Sequence, residues 1–220
     1  MRFPGTPNKE NKMNLHISPG NTKMGNIPSF SLPAITTCPG STPLCRKHCY
    51  ANRNAQMYKD TAECYKRNHA EAEQSNFLET LGHHIHTLNA RYFRIHVCGD
   101  FYDQRYLNIW TYIGKEFPNM DFLAFSKSFH LDYSNAPNNL NVIWSVFPDT
   151  EMSTVPSGPR AFTDFSETHV DAPYAPGITD SAIKCAGLCT TCGTCYHSNE
   201  NQLDTIFEAH GGSLSKRSNK

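Results

Sequence analysis

RYFRIHVCGDFYDQRYLNIWTYIGKEFPNMDFLAFSKS, residues 91–128, reads as one β-α-β unit. The run from Arg91 to Phe101 alternates apolar positions among β-formers and stops at Gly99-Asp100, the pattern of a strand. Asp103 stands where a helix N-cap belongs. Tyr106, Leu107, Trp110, Ile113 and Phe117 then recur at three- and four-residue steps, and Pro118 ends the helix they mark. Met120–Ser128 is the next strand.

The same alternation extends outward. Downstream, FHLDYSNAPNNL is too short and too rich in Pro and Asn for more than a turn or two of helix, and NVIWSVFPD follows as a fourth strand. Upstream, SFSLPAI is a short strand feeding a loop, TTCPGSTPLCRKHCYA. Residues 61–90 carry helical periodicity through Phe77, Leu78, Leu81, Ile85 and Leu88. Strands alternating with helices predict an α/β fold, a partial parallel βα barrel with cysteine-rich, irregular N- and C-terminal segments. The expected regions are an irregular arm over 1–28, a βα core with the first cysteine loop over 29–150, and an irregular C-terminal segment with a second cysteine cluster over 151–220. Within the last, RAFTDF is the one weak strand, and KRSNK is a basic tail.

The 220 residues suit one domain with a real core. Twenty Lys and Arg balance 20 Asp and Glu, so no overall field favours nucleic acid, and no basic stripe flanks either cysteine group. No run approaches the roughly 18 apolar residues of a membrane span, and the first 16 residues lack the apolar centre of a secretory signal. The expectation is a cytoplasmic protein without a membrane partner, with a small-molecule ligand or a host protein as candidate partner. Nine cysteines in a reducing compartment then read as metal ligands before disulfides.

Seven of the nine form two groups: Cys38, Cys45 and Cys49, and Cys185, Cys189, Cys192 and Cys195. Thiolates suit zinc or iron–sulfur clusters. Three thiolates in one loop would leave one iron of a 4Fe-4S cluster without a protein ligand; alternatively His48 completes a zinc site. Cys-x3-Cys-x2-Cys-x2-Cys supplies four ligands and closes either a second cluster or a zinc, with His197 as a possible extra ligand. Cys64 and Cys98 read as small buried apolar residues, and His83, His84 and His86 as helix surface.

NTKMGNIPSFSLPAITTCPGSTPLCRKHCYA, HVCGDFYDQRYLNIW, FLAFSKS and CTTCGTCYHSN with TIFEAH together resemble the phage gene product 88 family, over about Asn21 to His210. The resemblance implies a phage or prophage origin. The layout is also distantly similar to radical S-adenosylmethionine enzymes, in which a cysteine loop after the first strand binds a 4Fe-4S cluster. Cys45-x3-Cys49-Tyr-Ala matches part of that loop, with Cys38 in place of the usual downstream third cysteine. The analogy implies S-adenosylmethionine as ligand, with Gly99 and Asp100 near its amino group, and Ser126, Lys127 and Ser145 at its ribose and carboxylate. Strand carboxyl ends are where parallel α/β folds bind ligands. Only 25 residues follow Cys195, so the C-terminal group reads as a closed auxiliary centre and the Cys38–Cys49 loop as the place for chemistry. The alternative is a non-enzymatic zinc protein whose cysteine groups stabilise a small α/β binding module.

Overall fold

Apolar periodicity sets most of the secondary elements of the computed structural model, which describes residues 15–168 and 174–209. Ile17–Ser18 (β1) pairs antiparallel with Ser29–Phe30 (β2). Four helices follow: Pro43–Lys47 (α1), Tyr50–Met57 (α2), Lys59–Ala72 (α3) and Phe77–His86 (α4). Tyr92–Ile95 (β3), Gln104–Glu116 (α5) and Asp121–Ser126 (β4) form the expected β-α-β unit. Next come Leu140–Val146 (β5), Arg160–Asp164 (β6) and Ile183–Lys184 (β7). Cys189–Cys192 (α6), Ser198–Asn201 (α7) and Thr205–Glu208 (β8) follow within the described residues.

The strands lie in the order β1-β2-β3-β4-β5-β6-β8-β7, and every pairing except β1 with β2 is parallel. From β2 to β6 each strand joins on the same side as the last, so right-handed crossovers lay their connections on one face. The sheet is open, with β1 and β7 as edges; the architecture is an open, mostly parallel α/β sheet and not a closed barrel.

Strand alternation divides the core. Phe93, Ile95, Phe122, Ala124, Leu140 and Val142 pack with Phe77, Leu81 and Ile85 of α4 and Tyr106, Leu107, Trp110 and Ile113 of α5. The opposite face carries Leu123, Ile143 and Ala161, and it is covered by Met24, Ile27 and Tyr196. The N-terminal arm is therefore not wholly irregular: Met24 and Ile27 are buried, and β1 edges the sheet. Residues 1–14 of that arm, and the basic tail, lie outside the described residues.

Two further expectations change. The helical periodicity over 61–90 is divided between α3 and α4 by a break at residues 73–76, Glu-Gln-Ser-Asn, where Ser and Asn favour turns over helix interior. Arg105 donates to the carbonyls of Ala72 and Gln74, both at 3.0 Å, capping the end of α3. The break lets Phe77 turn into the core, 5.8 Å from Phe30 between ring centroids. RAFTDF forms β6 as expected, but as a strand inside the parallel sheet with β8 beyond it, so regular structure returns where the sequence reads as irregular.

Candidate functional site

The first cysteine loop is built from turns and two short helices. Thr42 caps α1 by accepting from the Cys45 amide at 3.2 Å, Pro43 supplies a helix-ready φ, and Asp149 accepts from the Leu44 amide at 2.8 Å. The Cys49 thiol caps α2, accepting from the Asn52 amide at 3.3 Å. The loop opens on Ile35 at φ +67°, a left-handed conformation that β-branched residues rarely adopt. It presses on the end of β4: a Cβ on Gly40 would stand 1.9 Å from the Lys127 carbonyl oxygen.

This arrangement brings Cys38, Cys45 and Cys49 within electrostatic reach of one another at the carboxyl ends of β3 and β4. Burial pushes the Cys38 thiol up to about 12, with the Asp100 carboxylate adding to it. Burial also raises Cys45, while the Lys127 ammonium pulls it down. Cys98, set aside in the sequence as a small core residue, is buried and lies in reach of Cys49 and Cys38. Burial takes it to about 12, against backbone hydrogen bonds from Ala34 and Gly99. Cys64 is half-buried rather than buried, and its thiol accepts from Arg67 at 3.1 Å.

The five non-cysteine candidates share one end of the sheet. Asp100 is 5% exposed, and its carboxylate accepts from the Phe101 amide, the Ser126 hydroxyl and the Lys127 amide, each at 2.7 Å. It thereby fastens the loop after β3 to the end of β4, while Asp103 alone caps α5, accepting from the Tyr106 amide. Burial raises the Asp100 carboxyl above its ordinary value, opposed by these hydrogen bonds. Gly99 has φ +90°, and a Cβ there would meet Leu32 and Thr37. Lys127 donates to Ser145 at 2.7 Å, and its ammonium sits 4.3 Å from the centre of the Phe147 ring. Phe147 abuts Phe165, and Phe165 meets the His48 ring edge-on at 5.6 Å. Both ring nitrogens of His48 are buried without a hydrogen-bond partner.

The second cysteine group lies on the sheet face opposite the helices. Asn141, Ile143 and Ser145 alternate onto that face along β5. Asn141 holds the start of α7, accepting from the Asn199 amide at 3.0 Å; Ile143 lies in the core under Tyr196; Ser145 meets Lys127 at the carboxyl end. Tyr196 packs on Tyr92 with centroids 4.5 Å apart, and Cys189 and Cys195 pack beside it. Cys189 is in electrostatic reach of Cys185 and Cys192, and Cys195 of Cys185 and Cys189. Burial raises both, Cys195 to about 11, and the Arg94 guanidinium lowers both. His197 is engaged with the Tyr92 hydroxyl at 3.3 Å.

Arg94 is the residue that sequence reading misses. Its guanidinium covers the Phe125 ring at 4.2 Å and lies in reach of Cys189, Cys195 and Tyr50. The available signal was a cation at an alternate position of an otherwise apolar strand. Tyr50, the neighbour of Cys49, donates its hydroxyl to the Val97 carbonyl at 3.0 Å. Among the described residues, no three His, Cys, Asp or Glu side chains stand close enough to enclose a single metal ion.

A family model described as Gene product 88 matches residues 6–198. The chain belongs to the Gene product 88 family. Two family relatives are similar along nearly their whole length. The Gene 88 protein of Mycobacterium phage L5 is 23% identical, over 86% of this chain and 91% of its own. That of Mycobacterium phage D29 is 22% identical over the same shares. Phage origin fits both relatives. No solved structure matches this member of the Gene product 88 family. Among its described residues, no helix is long and apolar enough to cross a membrane.

Proposed function

We propose that this chain is an iron–sulfur protein in which Cys38, Cys45 and Cys49 would hold one cluster, with one iron lacking a protein ligand. Cys185, Cys189, Cys192 and Cys195 form a second, closed centre on the opposite sheet face. The observation that carries the reading is the gathering of three half-buried thiols from one loop at the carboxyl ends of parallel strands, beside Lys127. Ligands of parallel α/β sheets bind there. Burial makes the Cys38 and Cys45 thiols resist ionisation, and a metal centre would supply the charge that converts them to thiolate ligands.

A 4Fe-4S cluster with an iron free of protein ligands supplies an electron and a coordination position for a small molecule. S-adenosylmethionine is the candidate molecule. The chain's own part is to orient it. Lys127 and Ser145 offer a cation and a hydroxyl for a carboxylate, and Phe147 with Phe165 offers an apolar wall. Asp100 sets the backbone of both strand ends and is a positioning residue in this reading.

Anaerobic reconstitution with analysis of iron, sulfide and zinc tests the proposal. Near four irons per chain indicates one cluster and near eight indicates two; electron paramagnetic resonance with and without S-adenosylmethionine then tests the ligand. No cluster signal removes the reading, and a signal unmoved by S-adenosylmethionine removes only the ligand. A zinc centre is the second reading, favoured by the two unpartnered nitrogens of His48 and by Cys98 as a fourth thiol. Zinc without iron in protein purified free of oxygen would establish it.

A further inference from the structure

Whole-chain neutrality is an average over two segregated parts, and contrary to the expectation from sequence the first cysteine group is flanked by cations, Arg46, Lys47, Arg53 and Lys59. Residues 11–59 hold six Lys or Arg and no Asp or Glu, whereas residues 60–209 hold nine Lys or Arg against 19 Asp or Glu. The acid-free part includes α1 and α2, and their outer surface is both cationic and aromatic. Arg46, Lys47, Tyr50, Met57, Tyr58 and Lys59 are exposed, with Tyr58 at 59% and Met57 at 65%. Tyr50, Arg53 and Met57 share one helical face by spacing. The Tyr50 hydroxyl is anchored on Val97, so its ring is held in place while the residue stays 39% exposed. Three acids stand at the margins of this surface: Asp149 is engaged by the Leu44 amide, Asp60 follows Lys59, and Glu63 pairs with Lys66 at 2.8 Å.

We infer that the α1–α2 surface binds single-stranded nucleic acid, with Arg46, Lys47, Arg53 and Lys59 along the phosphates and Tyr50 and Tyr58 stacking on bases. The cations alone would suit any polyanion. The exposed rings beside them decide for nucleic acid, because every base presents a π-face to an aromatic platform. Tyr50 opens α2 and Tyr58 follows its last residue, so the two bracket eight helical residues, about 12 Å, a span of a few nucleotides. Because Cys49 caps the start of α2, a strand bound here runs beside the first cysteine loop.

The test is fluorescence anisotropy of a labelled oligothymidylate of about 20 nucleotides with the full chain, across a salt series. Four phosphate contacts predict a slope of log K on log salt of about −2.8, hence about 50-fold weaker binding at 200 than at 50 mM salt. Lys47→Ala with Lys59→Ala halves the slope to about −1.4. Tyr58→Ala leaves the slope and weakens binding at least about fivefold. The slope is read on the unaltered chain and stands whatever a variant does to folding. No binding at 50 mM salt overturns the inference. So does a slope insensitive to the lysine pair, or binding that Tyr58→Ala leaves unchanged and polyglutamate competes equally, which would assign the surface to an acidic protein.

Discussion

Replacing Gly40 by alanine puts a methyl group where the fold has a carbonyl. The new Cβ would stand 1.9 Å from the Lys127 oxygen, 2.6 Å from its carbon and 3.3 Å from the Ser128 nitrogen, all backbone atoms. Ordinary contact begins near 3.4 Å, so loop and strand must separate by about 1.5 Å. The strand end resists, because the Lys127 amide and the Ser126 hydroxyl are both held by Asp100 at 2.7 Å. The loop therefore moves, and it carries Cys38 and Cys45 on either side of residue 40. Overpacking of this kind costs about 1–3 kcal/mol, and rigid backbone on both sides places Gly40→Ala near the upper end. For a chain of this size, about 3 kcal/mol lowers the melting temperature by about 6–12 °C. Thermal unfolding by circular dichroism reads that change, and metal content after anaerobic reconstitution reads the displacement of the thiols. An unchanged melting temperature would refute the close approach. A lowered one with full metal content would refute the placement of the first centre in this loop.

Asp100→Asn removes a buried charge yet turns an amide group toward the Lys127 or Phe101 N–H; an expected loss of about 2 kcal/mol is checked by urea unfolding. Burial first, then Arg94, pushes His96 down to about 3, so its folded pKa lies below the unfolded value. The stability it contributes is present above about pH 6.5 and lost as pH falls toward 3, about 3 kcal/mol by pH 4, and His96→Gln should flatten that part of the pH–stability curve. Asp204 accepts from the Arg160 amide at 2.8 Å and pairs with its guanidinium at 2.7 Å; Asp204→Ala should cost about 3 kcal/mol in chemical unfolding. Cys98→Ser separates the two metal readings: cluster iron content stays unchanged if Cys38, Cys45 and Cys49 suffice, and falls if Cys98 is a ligand.

What the sequence discloses follows from how local each signal is. α5 is legible because its cap, its periodic core positions and Pro118 all lie within 16 residues. The end of β4 is legible for the same reason, since Ser126-Lys127 terminates an apolar run; β3 instead stops at Ile95, short of the Gly99-Asp100 that the sequence reads as its end, because His96 turns to φ +62°. α1 and α2 are not legible, because helices of five and eight residues held by Thr42 and Cys49 have no periodicity to read. β1 and β7, of two residues each, leave no pattern at all. Least legible is the seating of the second cysteine group. It depends on Tyr196 meeting Tyr92 and Ile143, contacts between residues more than 50 positions apart. The double fastening by Asp100 was hidden for another reason: a carboxylate between a strand and a helix cap reads equally as cap, ligand or strut.

The cover over the sheet's second face has a consequence for synthesis. Met24 and Ile27 emerge early from the ribosome, but Tyr196, which completes their core, comes 169 residues after Ile27. At about 5–20 residues per second, that apolar face waits about 10–30 s for its last layer. The nascent chain can close the helix-covered side while its other side stays open. The emergence of Tyr196, rather than the making of β3 to β5, is the step at which this face is closed.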